Sequence, residues 1–166
     1  MRGSHEVLLL GSPAEVALRQ FLCKHRSAVP SGDLESFERE LHAHLAALEA
    51  ELVAEEVRKY DIDALEILLD GRRYLRGQIA PETYTSAAGP FKVPRYLFHE
   101  CDGSGDTICP LELRSGMVEG AWTPRAARLM ALVVAHMPAA EAEMLFREMG
   151  SMAPSRSSLE RLPKML

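Results

Sequence analysis

The sequence has few of the features that mark secreted or membrane proteins. Only three cysteines occur in 166 residues, an odd number at positions 23, 101 and 109 that cannot form a complete disulfide framework and is typical of a reducing compartment. The longest apolar run, Leu129 to Ala135, is far shorter than the roughly 20 residues that cross a bilayer. No charged segment followed by a long apolar one opens the chain. We therefore expect a cytoplasmic protein with no membrane partner.

Positive charge is also scarce overall, which argues against nucleic acid as a partner. The formal net charge is −5, but its distribution is uneven, because residues 1–70 contain 7 basic and 14 acidic side chains whereas residues 71–99 contain 5 and 1. Residues 100–112 contain four acidic side chains and no basic one, and residues 113–166 contain 7 basic and 5 acidic ones. Two mildly basic segments therefore remain available for an anionic partner.

Complete catalytic motifs are missing from the sequence. We find no glycine-rich phosphate loop between a strand and a helix, and neither a G-x-S-x-G nor an H-E-x-x-H string. The loop acids at positions 61, 63, 102 and 106 lack the spacing of a calcium-binding loop. We therefore predict no enzymatic activity and no cofactor.

The N-terminal part has strong helix signals. Ser12-Pro13-Ala14-Glu15 predicts the start of a short helix that runs to about His25, and Asp33 can cap a long second helix that runs to about Tyr60. The second helix is strongly acidic and has an apolar stripe with a spacing of three or four residues, made of Leu34, Phe37, Leu41, Leu45, Leu48 and Leu52. This stripe favours either core packing or a homodimer formed through residues 33–60.

Between positions 64 and 100 the pattern changes to short β-type runs. Runs at 65–69 and 73–76 flank Asp70-Gly71, a dipeptide that suits a tight hairpin turn. A second pair at 83–87 and 91–98 flanks Gly89-Pro90, and Pro94 favours an edge strand or a bulge in the last run. These runs predict a small antiparallel sheet of three or four strands.

The C-terminal part predicts three helices. Thr123-Pro124 marks the start of the first, Pro138 separates it from the second, Gly150 ends the second, and Ser157 with Glu160 offers a capping box for the third. The side chains expected to face inward in the first two helices are Leu129, Leu132, Val133, Met137, Ala142, Leu145, Phe146 and Met149. Three helices with a glycine-containing turn before the last are typical of a helix-turn-helix unit, whose final helix enters the major groove of DNA.

The candidate DNA-contacting residues are the basic and hydroxyl side chains of this unit. The alternative to DNA contact is that the serines only cap the last helix and that the basic residues are only solvated. The candidates are Arg125, Arg128, Ser155, Arg156, Ser157, Ser158, Arg161 and Lys164.

A zinc site is a weaker candidate. His99, Cys101 and Cys109 have suitable ligand chemistry, but structural zinc sites show paired C-x-x-C spacings and four ligands. We therefore predict free cysteines and no bound metal, with zinc as the open alternative.

Four stretches resemble the N-terminal region of ISKra-group insertion-sequence transposases, and the resemblance is strongest after Thr83. They are Tyr84 to Val93, Cys109 to Arg114, Trp122 to Arg128 and Pro154 to Pro163. The resemblance implies a leading DNA-binding region, followed in that family by a catalytic domain in which three carboxylates on a ribonuclease-H-like sheet hold two metal ions. The resemblance also implies that many relatives have a C-x-x-C pair where this chain has Cys101 and Cys109.

Together these patterns predict an α+β fold in three regions. These are an acidic helical region at 1–62, a small antiparallel sheet with a loop at 63–112, and a helix-turn-helix-like unit at 113–166. The leading hypothesis is a DNA-binding transposase region, truncated before the catalytic domain, that recognises transposon ends without cutting them. The alternative is a dimerisation or protein-interaction module that uses the acidic leucine-striped helix.

Overall fold

The computed structural model describes residues 11–27, 33–101 and 105–161 of the chain. Within these ranges, six helices and a four-stranded antiparallel sheet form a mixed α+β fold, which confirms the predicted class. The elements in chain order are α1 (Pro13–Ser27), α2 (Leu34–Arg58), β1 (Glu66–Leu69), β2 (Arg72–Ser86), β3 (Gly89–Glu100), β4 (Thr107–Ile108), α3 (Pro110–Ser115), α4 (Pro124–Val134), α5 (Ala139–Met149) and α6 (Arg156–Arg161).

The first helices begin where their capping residues predict. The Ser12 hydroxyl accepts a hydrogen bond from the Glu15 N–H at 3.2 Å, and the Asp33 carboxylate accepts one from the Ser36 N–H at 3.1 Å. Each bond satisfies a backbone donor that the first turn of a helix leaves without an internal partner. The predicted starts of α1 and α2 are therefore confirmed.

The sheet is a meander in which each strand pairs with the next. Asp70 and Gly71 form the first turn, with φ values of 50° and 79°, as the dipeptide predicts. The prediction of separate strands at 73–76 and 83–87 is wrong, because β2 is continuous from Arg72 to Ser86. A register irregularity between Arg76 and Ile79 accommodates the weak strand formers between the two predicted runs. The strand patterns also miss β4 and α3, which are only two and six residues long.

Helix α2 packs on the sheet with a face that the leucine stripe does not predict. Its buried residues are Ala50, Ala54 and Val57, which lie against the β2–β3 hairpin and α3. At about 100° per residue, the leucines of the stripe lie on the opposite side of the helix. Leu34 is 68% exposed and Leu45 is 48% exposed, so the sheet does not cover the stripe.

Part of the stripe contacts α1 through an aromatic cluster. Phe21 of α1 stacks on Phe37 of α2 with ring centroids 5.4 Å apart, and His25 and His44 pack beside the two rings. The small alanine side chains therefore bring α2 close to the sheet, while the aromatic side chains join α2 to α1.

The C-terminal helices share a second apolar core. It contains Trp122, Met152 of the connection between α5 and α6, and buried residues from all three helices, namely Ala126, Ala127, Met130, Ala142, Phe146 and Leu159. Ala142 and Phe146 face inward as predicted, but Leu132, Leu145 and Met149 are exposed, so those three predictions are wrong. The small side chains of Ala126 and Ala127 form the contact surface of α4, as Ala50 and Ala54 do in α2. Small side chains allow a helix to approach its neighbours closely.

Two contacts hold the C-terminal core against the β2–β3 hairpin. The Thr85 N–H donates to the Ala121 carbonyl at 2.7 Å, and the Thr123 N–H donates to the Thr85 carbonyl at 3.0 Å. At the hairpin turn, Gly89 has a φ of +126°, and a Cβ atom there would lie 2.7 Å from the Ser151 carbonyl oxygen. The turn before α6 therefore rests directly on a glycine backbone.

This contact predicts an unequal response to two glycine substitutions. Gly89→Ala should lower the free energy of unfolding by more than about 2 kcal/mol, because it combines an unfavourable φ with a backbone clash. Gly71→Ala has a similar φ penalty but no atom within 4 Å of the added Cβ, and should cost about 1 kcal/mol. Urea unfolding followed by the fluorescence of Trp122, the sole tryptophan, measures both. Equal losses would contradict the close contact.

Candidate nucleic-acid interface

The start of α4 is fixed by its capping residue. Thr123 is buried, its side-chain oxygen accepts a hydrogen bond from the Ala126 N–H at 3.4 Å, and its backbone is tied to Thr85 of β2. Pro124 occupies the first helical position, where its missing N–H costs nothing. The sheet and the cap together set the position of α4.

Arg125 and Arg128 follow directly in the first turns of α4. Both are exposed, and within the described part of the chain neither has an ion-pair partner. Residues three apart lie on the same face of a helix, so the two guanidinium groups share one side of α4. This is a solvent-facing pair of cations close to the positive end of a helix dipole.

The N-cap of helix α6 is Ser155, two residues before the predicted N-cap Ser157. The Ser155 hydroxyl, rather than Ser157, accepts a hydrogen bond from a backbone donor, the Ser158 N–H, at 3.3 Å. The Ser155 hydroxyl also lies 3.0 Å from the hydroxyls of Ser157 and Ser158. The predicted capping box is therefore wrong, because Glu160 bonds Arg156 instead of a backbone N–H near Ser157.

The basic residues of α6 differ in their surroundings. The Arg156 Nε–H donates to Glu160 Oε1 at 2.7 Å, and this hydrogen bond together with the carboxylate charge raises the pKa of Arg156. Arg161 is exposed and has no ion-pair partner among the described residues. Lys164 lies outside the described residues.

The arginines of the basic segment 71–99 are neutralised in the fold. Each of its four arginines pairs with at least one carboxylate, and most of these carboxylates lie outside the segment. The pairs are Arg72 with Glu100, Arg73 with Glu66, Arg76 with Asp63, and Arg95 with Glu82 and Glu112. Of the two basic segments, the C-terminal one therefore presents the arginines that lack carboxylate partners in the described ranges.

The three candidate zinc ligands do not meet. His99 Nδ1 lies 2.8 Å from the Thr107 hydroxyl oxygen, Cys101 is exposed, and Cys109 is buried in the core between α2 and the hairpin. Over residues 11–27, 33–101 and 105–161, no group of three or more His, Cys, Asp or Glu side chains is placed to hold a metal ion.

A partly buried polar network between the sheet and α3 is absent from the sequence predictions. The Tyr84 hydroxyl donates to Glu112 Oε1 at 2.8 Å, and Arg95 donates to the same oxygen at 2.7 Å and to Glu82 at 2.7 Å. Burial, with the hydrogen bond to Glu112, raises the pKa of Tyr84. The network joins β2, β3 and α3, and no local sequence spacing signals it.

Comparison with known proteins gives no relative for this chain. It matches no protein-family model, and no curated protein or solved structure is significantly similar to it. None of the helices in the described ranges has both the length and the apolar character needed to cross a membrane.

The observed cap predicts which serine stabilises α6. Ser155→Ala should cost about 1 kcal/mol, the usual loss for an N-cap hydroxyl. Ser157→Ala is the matched control and should change stability by less than about 0.5 kcal/mol. Urea unfolding followed by Trp122 fluorescence measures both, since Trp122 shares a core with Leu159 of α6. A larger loss of stability for Ser157→Ala than for Ser155→Ala would contradict the observed cap and support the capping box at Ser157.

Proposed function

We propose that this chain is a DNA-binding N-terminal region of an ISKra-group transposase, and that α4, α5 and α6 act as a helix-turn-helix unit that recognises transposon ends without cutting them. The sequence resemblance motivates the family. The surface chemistry of the three helices supports the DNA-binding role. The glycine that ends α5 supports the helix-turn-helix assignment, although the connection at 150–155 is longer than the usual three or four residues. In particular, α5 ends at Gly150 in the left-handed conformation with a φ of 73°, as suits the turn before a recognition helix.

The observation that carries the proposal is the charge at the helix starts. Helices α1, α2, α3 and α5 each have a glutamate in the first turn, as the helix dipole favours. Helices α4 and α6 have no acidic residue there, and instead begin with Pro124-Arg125 and Arg156. A cation at the positive end of a dipole is unfavourable by itself, and a bound phosphate would offset that cost.

The exposed groups divide into two expected roles. Arg125, Arg128 and Arg161 lack carboxylate partners among the described residues and suit phosphate contacts, which fix the position of a protein on DNA. Arg156 is held through Nε by Glu160, so its two terminal nitrogens remain available for a bidentate contact with guanine. The hydroxyls of Ser155 and Ser157 are exposed beside it and can donate to phosphate oxygens.

Binding assays with single arginine variants test this proposal. Arg125→Ala, Arg128→Ala and Arg161→Ala should each weaken binding to all duplexes alike and lower the salt slope by about one. Arg156→Ala should cost about 1 to 3 kcal/mol on a preferred sequence and relax the preference at one base position. The control is Arg147→Ala on α5, whose arginine pairs with Glu143 and whose loss should leave binding unchanged.

The assays use electrophoretic shifts at two salt concentrations, with a random-sequence duplex and with the ends of the insertion element that encodes the chain. Folded variants at 125, 128, 156 and 161 that all bind as the parent does would reject the proposal. Addition of magnesium and supercoiled plasmid should give no nicking, and robust nicking would reject the non-cleaving role.

A second candidate function, protein interaction through α2, has its own supporting observation. The leucines opposite the sheet-packing face form a strip, defined here as Leu34, Leu41, Leu45, Leu48 and Leu52. Leu34, Leu45 and Leu52 are exposed, and the other two are half-buried. Leu34 lies seven residues before Leu41, and the spacings from Leu41 onward are four, three and four residues, which is the pattern of a coiled-coil seam. We infer that this strip is available for a second helix, either from another copy or from a partner protein.

Charge substitution tests the second function. Leu45→Lys with Leu52→Lys should abolish any association mediated by the strip, because both are exposed leucines of the strip. Leu113→Lys on α3 is the control, since this leucine is also exposed but lies off the strip. Sedimentation velocity measures the association, and equal behaviour of the two variants would exclude the strip as an interface.

A further inference from the structure

The first strand of the sheet has an open edge. Within the described ranges, β2 is the only strand partner of β1, and the residues of β1 include exposed aliphatic side chains. Leu68 is 70% exposed, Leu69 is 37% exposed, and Leu65, just before the strand, is 74% exposed. Native edge strands are protected by short length, charged side chains, proline or a bulge. β1 is four residues long and carries the charge of Glu66, but it has no lysine, proline or bulge between positions 65 and 69.

The ladder with β2 determines which backbone groups face the open edge. The Arg76 N–H donates to the Leu65 carbonyl at 2.9 Å, and the register pairs Glu66 with Leu75 and Ile67 with Tyr74. Because hydrogen-bonded and non-hydrogen-bonded pairs alternate in an antiparallel ladder, residues 65, 67 and 69 bond to β2. The N–H and C=O groups of Glu66 and Leu68 therefore point outward.

The sequence of this edge is self-complementary. Leu65, Ile67 and Leu69 lie on one face of the sheet, since side chains alternate along a strand. If a second copy pairs antiparallel with Ile67 opposite Ile67, then Leu65 lies opposite Leu69 and the outward groups of Glu66 meet those of Leu68. This register satisfies all four outward backbone groups in each copy and forms a continuous aliphatic row. The charge of each Glu66 is already held by Arg73 of its own chain, at 2.6 and 2.9 Å.

We propose that two copies of this chain associate edge to edge through β1, with Ile67 on the twofold axis, and that the two sheets join into one of eight strands. The partner is a second copy because the row of Leu65, Ile67 and Leu69 reads the same in both directions of an antiparallel pair. The interface is separate from the leucine strip of α2. The interface also requires no DNA, so a test of the interface is independent of the proposed function.

Disulfide trapping tests the register. Residues opposite each other in a non-hydrogen-bonded pair have Cα atoms about 4.5 Å apart, which suits a disulfide, so Ile67→Cys should form a cross-linked dimer under mild oxidation. Leu68→Cys is the matched control, because the two copies of Leu68 are diagonal neighbours about 7 to 8 Å apart, too far for a disulfide without movement. Both are made with Cys23→Ser and Cys101→Ser, since those two cysteines are exposed.

Substitutions at the edge test the contact without cross-linking. Leu68→Pro removes an outward N–H that β2 does not use, and should weaken association at least about tenfold while the monomer stays folded. Leu65→Lys and Leu69→Glu should each weaken it as well. The double variant should recover association, because lysine and glutamate then face each other across the axis.

Sedimentation equilibrium over about a hundredfold range of concentration measures these effects, and circular dichroism confirms that each variant is folded. The Leu45→Lys, Leu52→Lys variant should retain the Ile67→Cys cross-link, which separates this interface from the α2 strip. A parent chain that stays monomeric throughout would overturn the proposal. Equal cross-linking at 67 and 68, or failure of the double variant to recover, would overturn the register.

Discussion

The arrangement of the sheet and the helices depends on the hydrogen bonds that the Glu112 carboxylate accepts. One of its oxygens accepts hydrogen bonds from Tyr84 of β2 and from Arg95 of β3, although Glu112 itself belongs to α3. Tyr84 is fully buried, and a buried hydroxyl without an acceptor is destabilising, while Arg95 would keep only its bond to Glu82. Loss of this carboxylate would therefore affect the hairpin and α3 together, and with them the segment that leads to α4.

Capping and turn residues made much of the fold predictable from the sequence. Ser12, Asp33, Thr123 and Gly150 lie at the ends of the helices that they predict, because capping depends on residues only three or four positions away. The Asp70-Gly71 turn is likewise a local property. Residue pairs of this kind are informative since the chain brings them together in almost any fold.

Features that depend on distant contacts were not predictable in the same way. The leucine stripe of α2 is the most regular apolar pattern in the chain, yet the sheet packs on Ala50 and Ala54, whose small size is favourable only because a strand lies opposite. In the sequence, Arg72 and Arg95 count as available positive charge. In the structure they pair with Glu100 and Glu112, which are 28 and 17 residues away. For the candidate interface, the absence of acids at the starts of α4 and α6 is visible in the sequence, but it acquires meaning only when the helix bounds are known.

The link between the sheet and α4 is made by main-chain atoms on the β2 side. The carbonyl and N–H of Thr85 bond the backbone of residues 123 and 121, so almost any side chain at positions 85 and 121 can preserve the link. Position 123 is more restricted, because its side chain must also cap the helix. Over evolutionary time, the hairpin and the outer surface of α4 can therefore change in sequence almost independently, while the angle at which the helix leaves the sheet stays the same.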